Sequence, residues 1–327
     1  AHTLPSIASW VELGSSETSK LDGPQLANEI ENAIRDAWKV RAPWRADAVP
    51  KFSEELSFES LDKFHLGLEN IIGYPPTNSD FLDLMKCEHE QGEPFADQKG
   101  RNVDPKIEWN IVMRSEAWNI TGAACEPSFE IEKREIGKPL EIYFQQAKAM
   151  FTDTSSFKPV EKNQILMEAE VAALRLWTGP MHKKYAEVLR NPKKPSVQYV
   201  TTLHALNSGI TKLARIWRLP SNRKVYRGYR NLSLKEIKKD EFHCVGGVEK
   251  SVLATSEDFN IAVQYSGNGA FILEMDVGQV NRGADVSWLS QFPHEREILF
   301  NALSNVEFVC SPQLRFVPGR GTILVYQ

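Results

Sequence analysis

The sequence predicts an α+β protein in two parts, a mainly helical N-terminal region over residues 1–155 and a second domain over residues 156–327. Apolar residues recur at helical spacing through much of the chain up to residue 217. After Pro220, short β-branched apolar runs are separated by Gly, Asn and Asp residues, which is typical of strands and turns. A length of 327 residues also suits two domains of ordinary size.

Composition excludes several classes of partner. Hydrophobic residues make up 42% of the chain and charged residues 25%, which are ordinary globular values. The net charge of −4 gives no basic field to attract nucleic acid or an anionic membrane, so we expect neither partner. No apolar run approaches the roughly 18 residues that a membrane span needs.

The cysteines and the first residue bear on the compartment. The four cysteines show no CxxC spacing, which is typical of free thiols in a reducing compartment, and we expect a cytoplasmic protein. The chain begins with Ala1, and no charged-then-apolar leader follows. We therefore expect a processed chain or a piece of a longer one.

In the N-terminal region the pattern favours helices, with one interruption. The alternating stretch "PKIEWNIVMRSEAWNI" (105–120) predicts one or two strands, with Trp109 in the core. Three helices are predicted before it. The first begins at Asp22, the second spans residues 57–72, and the third runs from a cap at Asn78 or Ser79 through Met85.

The second domain is expected to begin with helices and to end in strands. Periodic apolar positions predict helices over 139–151, 161–177, the later part of 178–191, and 197–217. Strands are predicted within 224–230, 251–256, 269–277, 295–300, 306–310 and 321–327.

Two glutamates near the C-terminus are candidate catalytic carboxylates. On a strand, Glu295 and Glu297 would point to the same face, because side chains alternate. Two carboxylates so placed repel, and the pKa of one tends to rise. A solvated turn would also accommodate the pair, so its spacing alone does not decide.

Two earlier segments carry further candidate residues. Arg227 lies in an apolar strand before Gly228; a guanidinium forks onto phosphate, and glycine lets a ligand approach the backbone. A strand-edge arginine in a salt bridge is the alternative. Thr255 and Ser256 end another strand, where they could cap a helix that begins at Glu257.

In this order, the three segments resemble the arginine–serine–glutamate class of mono-ADP-ribosyltransferases. The matching elements are Arg227, then Ala254-Thr-Ser256, then Phe292-Pro-His-Glu-Arg-Glu297. The phrases "LWTGPMHKKYAEVLR", "GGVEKSVLATS" and "GADVSWLSQFPHEREILF" are similar to a microbial-eukaryote branch of that family. The resemblance covers residues 160–327 and implies two packed, mostly antiparallel sheets flanked by helices, with an NAD cleft between them.

The resemblance also implies residue roles. Arg227 would hold the pyrophosphate of NAD, with Gly228, Thr255 and Ser256 also at the cofactor. Glu297 would hydrogen-bond the nicotinamide ribose and stabilise an oxocarbenium-like transition state. Glu295 would activate the acceptor, and the resemblance implies a protein arginine because a glutamate at that place goes with arginine acceptors in this family. Phe292 and Trp288 would contact that protein. NAD is the expected co-substrate, and no metal is expected.

One position departs from the family pattern. The hydroxyl triplet of the family opens with a serine that orients the catalytic glutamate, and this chain has Ala254 there. Losing such an orienting group costs about tenfold by analogy with second-shell residues elsewhere. A catalytically weakened module that binds NAD or a partner therefore stands as an alternative. NAD glycohydrolase activity is another, because it needs Glu297 and Arg227 but not Glu295, with water as acceptor.

Two other chemistries can be weighed from the residues. Glu295 and Glu297 could satisfy the shorter carboxylate spacing of glycoside hydrolases, but that interpretation leaves Arg227 and the triplet unexplained. Cys87 and His89 are isolated metal-ligand types, and His89 is expected to be a polar helix residue.

Overall fold

The computed structural model describes residues 68–76, 80–97, 99–113, 134–135, 138–152, 165–191, 197–216, 223–229, 246–266, 271–277, 283–307, 313–318 and 321–326. These residues belong to one compact unit. The predicted helix at Asp22, most of the one at 57–72, and the first residues of 161–177 lie outside them.

Helices lead the described chain. They are α1 (Leu68–Ile72), α2 (Phe81–Glu90), α3 (Pro105–Met113), α4 (Leu140–Thr152), α5 (Glu168–Trp177), α6 (His182–Arg190), α7 (Val200–Ile216) and α8 (Phe259–Ser266). Within the described ranges, none of them combines the length and apolar content needed to cross a lipid bilayer.

Strands follow, with two short ones between α2 and α3. They are β1 (Phe95–Ala96), β2 (Asn102–Val103), β3 (Arg223–Tyr229), β4 (Gly246–Glu249), β5 (Leu253–Ser256), β6 (Phe271–Val277), β7 (Ala284–Asp285), β8 (Glu297–Phe300), β9 (Ser304–Glu307), β10 (Gln313–Val317) and β11 (Gly321–Tyr326).

Seven of these strands form one sheet in the order β10-β11-β6-β3-β5-β8-β7. Every neighbouring pair is antiparallel except β11 and β6, which are parallel. The pairs β1–β2 and β4–β9 form two small antiparallel sheets. Helices and mostly antiparallel strands together confirm the predicted α+β class.

The main hydrophobic core is built by helices α1 to α7 and by the edge of the large sheet at β7 and β8. It contains residues from Leu68 to Leu299, and helix α5 is buried at every position after its first residue, Glu168. Because this core includes residues on both sides of position 155, α2 and α3 pack in the same core as α5 and α7. The domain boundary near 155 stays a prediction.

The stretch at 105–113 is a helix, so the prediction of strands there was wrong. Pro105 stands at the first helical position, where its missing N–H costs nothing. The Asp104 carboxylate caps the helix by accepting from the backbone N–H groups of Lys106 and Ile107 at 2.9 and 3.4 Å. Trp109 is buried, as expected.

Helix α2 also differs at both ends from its prediction. Its N-cap is Asp80, whose carboxylate accepts from the backbone N–H groups of Leu82 and Asp83. The helix then continues past Met85 to Glu90. The extension is stabilised by buried contacts, because the fully buried His89 lies in the last turn.

Glu295 does not lie in a strand, which corrects the prediction for 295–300. Residues Pro293–Glu295 form a turn of 3-10 helix, and β8 begins only at Glu297. Between them Arg296 has a left-handed backbone, with φ of 48°. This conformation is uncommon for a residue with a side chain, and it interrupts the alternation that would put both glutamates on one face.

Candidate active site

The three predicted segments lie next to one another in the large sheet. Strand β3 carries Arg227, β5 carries Thr255 and Ser256, and β8 begins with Glu297. Ser256 is in register with Tyr226 on one side and with Glu297 on the other. Segments far apart in the sequence therefore meet at neighbouring strand ends.

Glu297 has the most strongly shifted pKa at this place. Burial raises the pKa of its carboxyl group to about 8, and the nearby carboxylate of Glu295 contributes in the same direction. The indole of Trp177 and the guanidinium of Arg227 oppose the rise. The Trp177 N–H is close enough to act on the carboxylate, but it makes no hydrogen bond of ordinary geometry to any described residue.

Glu295 lies in the turn just before Glu297 and has a different set of contacts. Burial raises its pKa, while a hydrogen bond from Tyr265 and the positive charge of Lys99 lower it in part. The Tyr265 hydroxyl donates to Glu295 Oε1 at 2.5 Å, from an exposed position on α8. A carboxyl with a raised pKa is suited to taking a proton near neutral pH.

Arg227 contacts the next strand and a buried acid. Its Nη1 donates to the backbone oxygen of Ala254 at 3.0 Å, and its Nη2 lies 3.7 Å from Glu249 Oε2. The guanidinium also lies 5.0 Å from the ring centroid of Tyr229. A salt bridge, the alternative role for this arginine, is therefore present, and the side chain keeps 14% of its surface exposed.

Glu249 and Arg190 belong to this cluster, and neither was singled out from the sequence. Glu249 is fully buried and accepts from Arg190 Nε and Nη2, both at 3.2 Å. It also accepts from the backbone N–H of Ser251. One carboxylate thus lies between two guanidinium groups, which leaves an excess of positive charge suited to an anionic ligand.

His182 lies at the start of α6, near the same cations. Burial lowers its pKa most, and the charges of Arg227 and Arg190 lower it further. Its Nδ1–H donates to the backbone oxygen of Gly179, and its ring centroid is 6.3 Å from that of Trp177. A neutral imidazole is the stable form here.

The hydroxyl groups of the triplet are already engaged in backbone contacts. Thr255 Oγ1 donates to the backbone oxygen of Ile298 at 2.8 Å. Ser256 Oγ donates to the backbone oxygen of Glu295 at 2.6 Å and accepts from the N–H of Asp258. Ser256 thereby ties β5 to the turn that carries Glu295. Helix α8 begins at Phe259, after Asp258, and not at Glu257 as predicted.

Gly228 is required by packing. A Cβ built on it would lie 1.9 Å from the backbone oxygen of Ala262 and 2.7 Å from the backbone nitrogen of Ser266. Helix α8 therefore approaches β3 too closely for any side chain. The side of Gly228 where a side chain would project is filled by α8.

The two predicted acceptor-contact residues lie on the segment before Glu295. Phe292 is half-buried, and its ring centroid is 6.3 Å from that of His294 in an edge-to-face arrangement. Trp288 packs partly against the main core, with an indole N–H that has no hydrogen-bond partner among the described residues.

Cys87 and His89, the two residues of metal-ligating type noted in the sequence, lie in different environments. His89 is fully buried; its Nδ1 contacts the backbone oxygen of Met85 at 2.6 Å, and its Nε2 contacts the Tyr185 hydroxyl at 2.5 Å. Cys87 is exposed. Among the residues that the structure describes, no group of three or more His, Cys, Asp or Glu side chains is placed to hold a metal ion.

No protein-family model and no curated protein sequence matches the chain. Its fold is similar to the ADP-ribosyltransferase HopU1 of Pseudomonas syringae, at 14% identity and a TM-score of 0.45, over 77% of this chain and 98% of that one.

Two further solved structures show similarity over 57% of this chain. Exoenzyme S from Pseudomonas aeruginosa, solved in complex with human 14-3-3 protein beta and bound to carba-NAD, has 18% identity, a TM-score of 0.37 and 83% of its own chain covered. An ADP-ribosyltransferase from Clostridium botulinum, solved in a triclinic crystal form, has 16% identity, a TM-score of 0.38 and 94% covered. At such values the similarity carries no functional conclusion.

The hairpin β1–β2 borders the same cluster from the N-terminal region. Lys183 on α6 donates to the backbone oxygen of Ala96 at 2.6 Å. The charge of Asp97 acts on the pKa of His182, and the charge of Lys99 acts on that of Glu295. Residues before position 155 therefore contribute to the electrostatics of the site.

Sequence reasoning had no signal for most of these additional residues. Trp177, His182 and Arg190 stand on helical segments where their spacing is that of ordinary core or surface positions. Tyr265 lies on a short helix after the triplet, at a position typical of a solvated face. Trp177 and Tyr265 come close to the two glutamates only through the packing of their helices against the sheet.

Proposed function

We propose that this chain is an NAD-dependent mono-ADP-ribosyltransferase that moves ADP-ribose from NAD to a protein arginine and releases nicotinamide. The observation that carries the proposal is the meeting of Arg227 and Glu297 across β3, β5 and β8, with the Arg227 charge acting on the Glu297 carboxyl. The cationic cluster suits a pyrophosphate.

The reaction breaks the bond between the nicotinamide ring nitrogen and the ribose. The ring nitrogen keeps the electron pair, so a pyridinium leaves as neutral nicotinamide without protonation. Positive charge develops on the ribose as the bond lengthens, and ionised Glu297 stabilises it electrostatically. No metal is required for this leaving group.

Glu295 is proposed to complete the transfer. A guanidinium nitrogen forms the new bond to the ribose carbon and loses a proton, which Glu295 accepts. The raised pKa of Glu295 matches this role, because a base is most effective when its pKa lies near the working pH. Phe292 and Trp288, on the preceding segment, are proposed to contact the acceptor protein.

The first experiment measures free nicotinamide and labelled protein together, after incubation with NAD and a mixed protein acceptor. We expect Glu297→Gln to lower both by about 100-fold or more, since removing one electrostatic stabiliser costs that much elsewhere. Glu295→Gln should keep nicotinamide release and lose labelling. Glu141→Gln, an exposed glutamate of α4, is the matched control and should leave both unchanged.

NAD glycohydrolase activity is the second candidate, with water as acceptor. One observation favours it: the Tyr265 hydroxyl already occupies one oxygen of Glu295. Nicotinamide release without labelled protein in wild type would establish this candidate. It would contradict the transferase proposal.

Ala254→Ser separates a weakened enzyme from a binding module. If the missing hydroxyl limits the rate, the substitution should raise nicotinamide release by about tenfold, the usual size of such second-shell effects. Wild type and Ala254→Ser that both bind NAD, measured by calorimetry, without releasing nicotinamide would favour the binding module and contradict both enzymatic candidates.

A further inference from the structure

A buried polar cluster lies beneath the turn that carries Glu295. Its centre is Gln291, which is fully buried and directly precedes Phe292. The Gln291 backbone N–H donates to Thr178 Oγ1 at 3.1 Å, and its side-chain Nε2 donates to the backbone oxygen of Arg175 at 2.7 Å. The start of the turn is thus tied to the end of α5.

The other contacts of Gln291 come from a segment before position 155. Its Oε1 accepts from Arg134 Nε at 2.8 Å and from Arg134 Nη2 at 2.6 Å. Its backbone oxygen accepts from the N–H of Glu135 at 2.7 Å. Both hydrogen-bonding ends of the Gln291 amide and both of its backbone groups are therefore engaged.

Arg134 is itself fixed by a buried acid on α3. Arg134 Nη2 lies 2.5 Å from Glu108 Oε2, and Nη1 lies 3.2 Å from Glu108 Oε1. The side chains of Arg134 and Glu108 are only 2% and 4% exposed. A buried ion pair adds little net stability over apolar residues of similar size, whereas a two-pronged pair fixes geometry well.

Arg175 holds the same segment from the other side. It is 1% exposed, and its Nη1 and Nη2 donate to the backbone oxygens of Leu289 at 2.5 Å and Glu135 at 2.8 Å. A Cβ at Gly179 would lie 2.2 Å from Gln291 Nε2, so glycine is needed for Gln291 to fit.

The two glutamates depend on this cluster to different degrees. Glu297 is held by the sheet, because it pairs with Ser256 on β5 and its backbone oxygen accepts from the N–H of Val286. Glu295 lies in the 3-10 turn, outside any strand ladder, and follows Gln291 by four residues. Loosening Gln291 would therefore displace Glu295 more than Glu297.

We propose that Arg134 and Glu108 are positioning residues that hold the turn at Gln291 and thereby place Glu295 for the acceptor. The inference rests on the proposed function and assigns to the region before position 155 a part in transfer to protein. Breaking the pair should reduce transfer to the acceptor more than release of nicotinamide.

The test uses the double variant Glu108→Leu/Arg134→Met in the full chain. Removing both partners avoids an uncompensated buried charge, which is the main cost of breaking such a pair from one side. We expect labelled protein to fall at least 10-fold, with a higher KM for the acceptor, while nicotinamide release falls less than threefold. Arg134→Lys, which keeps a charge beside Glu108, should label at least threefold better than the double variant.

The matched control is Glu170→Gln/Lys212→Met, which removes a buried pair between α5 and α7, with Lys212 Nζ 2.8 Å from Glu170 Oε1. A purely structural loss lowers labelling and release alike, and this control should not change their ratio. An unchanged ratio in the Glu108→Leu/Arg134→Met variant would overturn the inference.

Hydrogen exchange of residues 286–297 provides a readout that does not depend on activity. We expect faster exchange of these amides in the Glu108→Leu/Arg134→Met variant and unchanged exchange in β3 and β6. Unchanged exchange in the turn would overturn the positioning role. A wild type that releases no nicotinamide would instead overturn the proposed function, while the exchange result would still decide whether the pair holds the turn.

Discussion

At the residue scale, Glu297 is held in its protonated form near neutral pH. Burial is the largest cause of its pKa of about 8, and repulsion by Glu295 is the next. The carboxylate, not the acid, stabilises positive charge on a ribose. At pH 7 only a minority of the free protein therefore carries the ionised Glu297 that the proposed transfer needs.

The first prediction concerns pH. For wild type, kcat/KM for nicotinamide release should rise with pH through a midpoint near pH 8 and level off only above it, because ionised Glu297 is needed. In Glu295→Gln the midpoint should move to lower pH, since a like charge has been removed. Release measured from pH 5 to 9.5 checks both expectations.

A variant on α5 should move the midpoint of the pH profile in the opposite direction. Trp177→Phe removes the indole N–H that opposes the rise in the Glu297 pKa, so its midpoint should move to higher pH. Midpoints that coincide in all three proteins would show that Glu297 does not govern the profile.

At the element scale, helix α8 contacts both halves of the site. It packs against the backbone of β3 at Gly228, and it presents Tyr265 to the turn that bears Glu295. The helix begins at the end of β5, where Ser256 binds both the turn and the N–H of Asp258. Its position therefore links the triplet to Glu295.

The second prediction follows from the Tyr265 contact. In Tyr265→Phe the pKa of Glu295 should rise further, because the hydrogen bond that favours its ionised form is lost. Labelling of protein should then require higher pH than in wild type, whereas nicotinamide release should not move to higher pH. Parallel pH series of the two products provide the measurement.

In this experiment nicotinamide release and protein labelling serve as controls for each other. Equal shifts in release and labelling would contradict an effect that acts through Glu295. Loss of both products at every pH would place Tyr265 at the NAD side instead.

Elements were predictable from sequence where local pattern and packing agree. Helix α7 was predictable to within a few residues because its apolar positions repeat over 17 residues. The sequence pattern over helix α3 indicates strands because the helix is buried on much of its surface. Its apolar residues therefore fit the two-residue alternation of a strand as well as the period of a helix. Asp104 followed by Pro105 was the helix signal that outweighed the alternation.

The candidate site was predictable only in part for a related reason. Arg227, Ser256 and Glu297 lie on strands whose neighbours could be inferred from the family resemblance. The turn at Glu295 depends on the left-handed backbone conformation of Arg296. No residue type in "FPHERE" indicates such a conformation. The Arg134 and Glu108 contacts join segments that are distant in sequence and have no periodic pattern in common.

At the scale of the whole molecule, His89 makes the core sensitive to acid. It is fully buried between helices, with its ring centroid 5.1 Å from that of Trp109 and 5.2 Å from that of Tyr199. Burial lowers its pKa from 6.5 to about 4. The unfolded chain therefore binds a proton at a pH where the folded chain does not.

The third prediction is an acid-dependent loss of stability. Because the folded pKa is depressed, the contribution of His89 is complete above about pH 6.5 and declines as pH falls towards 4. The free energy of unfolding should drop by about 3 kcal/mol over this range through His89 alone, at about 1.4 kcal/mol per pH unit. Urea unfolding at pH 7.5 and 4.5 measures it.

His89→Gln keeps an amide for the Tyr185 hydroxyl and cannot titrate. The variant should lose less stability than wild type between the two pH values, even if it is less stable at pH 7.5. The same loss in both proteins would assign the acid sensitivity to other groups.

The close packing around Gly228 limits which residues can occupy position 228. Helix α8 lies against the backbone there, with the oxygen of Ala262 1.9 Å from where a Cβ would be. A library randomised at position 228 and selected only for soluble expression should therefore return glycine, without any requirement for NAD. Invariance of this glycine among natural sequences would then report the constraint of close packing and would carry no information about ligand recognition.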